Sequence, residues 1–211
     1  MLEIEYKGGN AVVLGTKQAT IYVDPKLSVV GLKDLSTKDQ IELATEARFA
    51  LASSAAKLNI EGPGEYGIAK FDIKGIAAQR HLDAETEPNR ATMYRVAAHD
   101  IRIAVIGNIF EKVSDDQLEE LGVIDVLIIP VGGNGYTLDA TGAASLTRKI
   151  DPKVVIPIHY ADPAVKYEVP QDSLEVFVKE LGAPVEEMAK YKLKQAGSLP
   201  ESLTIVTVTR S

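Results

Sequence analysis

Hydrophobic and polar positions change period part-way along the chain, and the change predicts its layout. Near the start, Leu2, Ile4 and Tyr6 alternate with Glu3 and Glu5, Gly8-Gly9 marks a turn, and Ala11 to Leu14 and Thr20 to Val23 are short β-favouring runs. The second of these stops at Asp24-Pro25. This predicts the edge of an antiparallel sheet. Lys70 to Ile76, Met93 to Ala97 and Ile101 to Ile106 repeat the pattern, with His99-Asp100 in a hairpin turn between the last two. Val126 to Pro130, Val154 to Ile158 and Leu203 to Thr209 are more continuously apolar, as buried strands are. Between these later strands the period lengthens. Ser114 with Gln117 has capping-box spacing, followed by Leu118, Leu121 and a stop at Gly122; Asp172 with Glu175 repeats it before Leu174, Phe177, Val178, Leu181 and Gly182. Ala140, Ala143, Ala144, Thr147 and Ile150 recur at helical spacing and end at Asp151-Pro152. Strands first, then strands interleaved with helices, predict sheets with helices packed outside them. No linker, low-complexity segment or fixed-period repeat divides residues 1–211, so one domain is expected.

Composition narrows the partners. At 211 residues, with 45% hydrophobic and 25% charged, the chain can bury a proper core. Its 23 basic against 30 acidic residues give a net charge of -7, which argues against the basic face that nucleic acid requires. No segment approaches the ~18 uncharged residues of a membrane span, and Met1 to Tyr6 alternates where a signal peptide would run basic then apolar. A cytoplasmic protein is expected. The absence of cysteine removes disulfide and thiolate chemistry.

Candidate chemistry centres on Asp151-Pro-Lys-Val-Val-Ile-Pro-Ile-His159-Tyr160, an apolar strand that ends on a histidine. With only three histidines, a metal site would have to be built from His81, His99, His159 and carboxylates. His99, beside Asp100, reads as a surface turn residue. Gly132-Gly133 with Gly135 lacks the Lys-Ser/Thr of a phosphate loop and reads as a tight turn needing positive φ. Ser53-Ser54 has no Gly-x-Ser-x-Gly elbow, so a serine triad is not supported.

Ile21-Tyr-Val-Asp24-Pro25, Gly62-Pro-Gly-Glu-Tyr66, Gly107-Asn108, Ile129-Pro-Val-Gly-Gly133 and Pro152 to Tyr160 together resemble the metallo-β-lactamase superfamily. The resemblance is to its small bacterial Zn-dependent hydrolase branch, similar to L-ascorbate-6-phosphate lactonase. It implies a four-layer αββα sandwich, with a dinuclear metal site carried on loops at strand ends. The family signature, Thr-His-x-His-x-Asp-His after an apolar strand, falls on Thr45 after Ile41 to Ala44, so its four ligand positions are Glu46, Arg48, Ala50 and Leu51. The third histidine corresponds to His81, the bridging aspartate to Asn108 and the last histidine to His159. A further family histidine near the N-terminus falls on Gly9. In this family Asp24-Pro25 is a structural turn.

A hydrolytic zinc needs about three protein ligands and a water whose pKa falls to ~7. Two histidines and the neutral amide of Asn108 fall short, and Ala50 and Leu51 supply no donor. Arg48 instead brings a permanent guanidinium, with Glu46 or Asp83 as its partner, and this charge is expected to stand in for that of the metal. The plainer alternative places Glu46 and Arg48 as solvated charges on a helix, for which Leu43, Ala44, Ala47, Ala50 and Leu51 have the period. The expected function is that of a degenerate, non-catalytic family member without a metal cofactor, binding a small anionic ligand or a protein partner. The alternative is a hydrolase of phosphorylated or lactone-like molecules, with one zinc or manganese ion on His81, His159 and a carboxylate such as Asp83 or Glu46.

Overall fold

The computed structural model describes residues 1–81 and 91–211. In chain order the elements are β1 (Leu2–Gly8), β2 (Ala11–Gly15), β3 (Thr20–Val23), β4 (Ile41–Ala44), β5 (Leu58–Glu61), β6 (Gly64–Ile68), β7 (Phe71–Ala78), β8 (Ala91–Ala98) and β9 (Ile101–Val105). They continue as α1 (Asp115–Leu121), β10 (Val126–Pro130), α2 (Ala140–Ile150), β11 (Val154–Ile158), α3 (Leu174–Leu181), β12 (Val185–Met188), β13 (Tyr191–Leu193) and β14 (Thr204–Val208). Two sheets result, one ordered β13-β1-β2-β3-β4-β5 and the other β12-β14-β11-β10-β9-β8-β7-β6. The expected antiparallel pairing of β1, β2 and β3 is present, but they are not the edge, because β13 pairs with β1 on its outer side; β3, β4 and β5 run parallel.

Strand alternation explains how the layers meet. Leu2, Ile4 and Tyr6 face inward together with Val12, Leu14, Ile21 and Leu43, against Phe71, Tyr94, Val96, Ile128 and Ile156 of the opposite sheet. Tyr94 ties the layers, its hydroxyl donating to the Ala44 carbonyl at 2.9 Å and accepting from the Gly62 amide at 3.0 Å. The parallel strands β10 and β11 are buried along their whole length because their second face lies under helices. There Ala143, Ala144, Leu146, Leu121 and Phe177 cover Leu127, Ile129 and Val155. The mixed α/β fold with two central sheets is that of the expected αββα class. All three α-helices pack on the eight-stranded sheet. Connections on either side of β4 form 3-10 turns at Leu27–Val30 and Ala47–Phe49.

Helix ends follow local chemistry. Ser114 and Gln117 form the expected capping box on α1, and Asp139 caps α2 by accepting from the Gly142 amide at 2.7 Å. The second expected box does not form. Ser173, one residue later than Asp172, occupies the N-cap of α3 and makes no side-chain cap bond. Among the described residues, no helix is long and apolar enough to cross a membrane.

Candidate functional site

Carboxyl ends of strands from both sheets meet at one end of the sandwich, where open α/β sheets place their ligand sites. β3 delivers Asp24, β4 delivers Thr45 and Glu46, β9 leads to Asn108, β10 to Gly132-Gly133 and β11 to His159. The segment after β4 decides the site's character. Buried Asp24, with φ 49°, accepts from the Thr45 amide at 2.7 Å and the Thr45 hydroxyl at 2.6 Å. Buried Glu42 accepts from the amides of Leu51 and Ala52 at 2.6 and 2.7 Å. Backbone donors at both ends of this segment are thereby diverted to carboxylates, so a helix over it cannot form and only the turn Ala47–Phe49 remains. The reading of Glu46 and Arg48 as solvated charges on a helix is therefore corrected: Glu46 is 3% exposed. The same diversion faces the Leu51 amide toward Glu42 and leaves the Ala50 methyl buried.

Glu46 is the hub. Its Oε1 accepts from Asn108 Nδ2 at 3.0 Å and from Arg48 Nη2 at 3.3 Å. Arg48 Nε lies 3.0 Å from Oε2, an ion contact without hydrogen-bond alignment, and Arg80 Nη1 lies 3.5 Å from the same oxygen. Burial pushes the Glu46 carboxyl above its ordinary range; Arg48, Asn108 and Arg80 oppose that shift. The Arg48 guanidinium lies 4.6 Å from the centre of the Phe49 ring and 4.8 Å from that of Tyr136, and its Nη1 is 3.5 Å from Glu168. Gly107 admits the close approach of Thr45, because a Cβ there would lie 2.6 Å from the Thr45 Cβ.

His159 is 1% exposed and holds φ 52°, a left-handed conformation that costs a non-glycine residue of order 1 kcal/mol or more and gathers at functional sites. The β1–β2 turn secures it. The His159 amide donates to the Gly9 carbonyl at 3.0 Å, and its Nδ1 meets Asn10 Oδ1 at 2.7 Å, which assigns the proton to Nδ1. Tyr136 and Tyr167 flank the ring at 5.4 and 4.7 Å. Burial, aided by Arg48, lowers its pKa to about 3, so the ring is neutral. Among the described residues, His159 Nε2 and Asn108 Oδ1 are both buried acceptors without a protein partner.

His81 joins this end of the molecule through its amide, which donates to the Asn108 carbonyl at 2.8 Å. Its ring lies beside Phe110 and lines a cleft of about 90 Å³ with Glu111, Thr137 and Asp139. Loop 132–139 adjoins both histidines, Tyr136 contacting His159 and Thr137 lining the cleft with His81. His99 is exposed in the β8–β9 turn, at φ 59°. Asp83 lies outside the described residues. Gly133 and Gly135 have φ of 68° and 75°, as a tight turn needs, and a Cβ on Gly132 would collide with the His159 carbonyl. Sequence reasoning missed Asn10, Arg80 and Tyr136. Asn10 and Arg80 stand directly beside the family-matched positions Gly9 and His81, whereas Tyr136 has no local mark.

The family described as the beta-lactamase superfamily domain matches residues 3–159. The chain belongs to the metallo-β-lactamase superfamily. A 43-residue stretch is 44% identical to a UPF0173 metal-dependent hydrolase of Natranaerobius thermophilus, covering 20% of this chain and 19% of that relative's length. A protein named for a Zn-dependent hydrolase of the metallo-β-lactamase superfamily from Thermotoga maritima superposes over 99% of this chain and 100% of its own, with TM-score 0.77 and 21% identity. Igni18, a metallo hydrolase from Ignicoccus hospitalis, superposes over 92% of this chain and 99% of its own, with TM-score 0.65 and 17% identity. At these identities the two structures speak for the superfamily fold alone.

The donor set of the described residues fits the superfamily's dinuclear centre poorly. Among the described residues no three His, Cys, Asp or Glu side chains are placed to share a metal ion. The carboxylate nearest the signature is already shared by two guanidinium groups, and Asn108 is a neutral donor that has turned its nitrogen toward it.

Proposed function

We propose that this superfamily member is a non-catalytic binding protein, a single cytoplasmic domain whose site is organised by an internal ion cluster and recognises a small anionic ligand or a protein partner. The supporting observation is Glu46, a buried carboxylate shared by Arg48 and Arg80, at the position where the sequence resemblance would put the signature's first histidine. A fixed positive charge there repels a dication and compensates the carboxylate in its place. The test is metal content after purification without chelator, followed by melting in EDTA, zinc and manganese. A ligand that binds only the folded state raises its apparent stability, so the proposal expects substoichiometric metal and an unchanged Tm in all three. Stoichiometric zinc or manganese, with a clear loss of Tm in EDTA, refutes it.

A second reading rests on His159. Its Nδ1 proton is held by Asn10 while Nε2 has no partner among the described residues, the arrangement in which an outer carbonyl orients a metal-ligating imidazole. Together with the names of the relatives, this favours a hydrolase that holds one metal weakly. Zinc-loaded protein assayed on phosphate esters and lactones decides for it if turnover appears and is lost in His159→Gln.

A further inference from the structure

We infer that the outer edge of the Arg48 guanidinium is an oxyanion-binding site and that Glu168 is its internal competitor; this rests on the metal-free reading above. Arg48 presents two unlike edges. Inward, Nε and Nη2 face Glu46, a side chain only 1% exposed, at 3.0 and 3.3 Å. Outward, Nη1 meets Glu168 at 3.5 Å, and that side chain is 61% exposed on the loop between β11 and α3. No hydrogen bond accompanies the outer contact, so it is an ion pair in solvent, of the kind that contributes little.

The guanidinium is also held in place before any ligand arrives. Phe49 and Tyr136 contact it, with ring centres 4.6 and 4.8 Å from its carbon, and Glu46 fixes its rotation. A planar donor fixed in this way matches a carboxylate or phosphate oxygen and loses little freedom on binding it. The Glu168 carboxylate has the same chemistry as such a ligand. It therefore occupies Nη1 when solute oxyanions are scarce and swings into solvent when one binds.

Glu168→Gln tests this, because the residue is exposed and its exchange leaves the fold intact. Inorganic phosphate and acetate are titrated by calorimetry at constant ionic strength set with chloride. An exposed pair competes by about two- to fivefold at most, so Glu168→Gln should tighten phosphate, acetate or both by that factor. Tightening of one probe alone identifies which oxyanion the site prefers. The Arg48→Lys/Glu168→Gln double variant should lose the gain, since an ammonium cannot meet Glu46 and an outer oxyanion from one fixed plane. Equal affinities of wild type and Glu168→Gln for both probes, or no binding by either protein, overturns the inference, as does a gain that survives Arg48→Lys. Binding that disappears in EDTA from metal-containing protein would instead count against the metal-free reading.

Discussion

Replacing Arg48 with alanine separates a structural ion cluster from a decorated surface. In the folded protein Glu46 would keep the Asn108 amide at 3.0 Å and the more distant Arg80 at 3.5 Å, but would lose both its nearer ion contact and one hydrogen bond. Truncating one member of a buried ion pair costs about 3 to 5 kcal/mol. Arg80 remains and the Arg48 side chain is 25% exposed, which together place the electrostatic loss nearer ~2 kcal/mol. The stacking on Phe49 and Tyr136 adds about 0.5 to 1 kcal/mol for each ring. A loss of ~3 to 4 kcal/mol is therefore expected in urea denaturation at pH 7. The Arg48→Ala/Glu46→Gln double variant should recover part of it, because the stranded charge is gone, with a coupling of about 1 to 3 kcal/mol for groups in one network. A change below about 0.5 kcal/mol, the range of surface substitutions, would refute the cluster altogether.

Two buried groups give the protein opposite pH slopes. Burial raises the Asp24 carboxyl to about 7, so the folded state holds a proton that the unfolded chain releases near 3.8; stability falls as pH rises across that interval, by up to roughly 4 kcal/mol, and Asp24→Asn should flatten it in denaturation series at pH 4 to 7. His159 acts in the other direction: the unfolded ring takes a proton below 6.5 and the folded ring only near 3, so stability falls on acidification by up to roughly 5 kcal/mol and His159→Gln should remove that loss. Gly107→Ala should cost about 1 to 3 kcal/mol, because its methyl would meet the Thr45 Cβ at 2.6 Å; a neutral result by thermal melting would show that the strand ends are not packed as described.

Side-chain burial accounts for which elements were legible in the sequence. β1, with one face on the core, carries the alternation that marks it, and so do the Phe71 to Gly75 part of β7 and the Tyr94 to Ala98 part of β8. β5, β6 and β12 do not: Ile60 is the one buried residue of β5, and β6 and β12 have none, so their strand state comes from backbone pairing at sheet edges. The second capping box failed for a related reason. Spacing alone cannot distinguish Asp172 from Ser173 as the N-cap when the Asp172 amide is engaged elsewhere, donating to the Gly132 carbonyl at 2.8 Å.

For the candidate site, local sequence identifies the strand ends but not the contacts that join them. Asn10 and His159 are 149 residues apart, and Glu46 and Asn108 are 62 apart, so neither pair could be read from spacing. Glu46 and Arg48, two residues apart, fit a helix face as well as a strand-end loop. What decides between them is the destination of the neighbouring amides, since Asp24 and Glu42 each take backbone donors that a helix would need. These two carboxylates fix the path of the Glu46 segment, and through it the direction of Glu46. The ion cluster is thus supported by Asp24 and Glu42, and loss of either should loosen Arg48 although neither touches it.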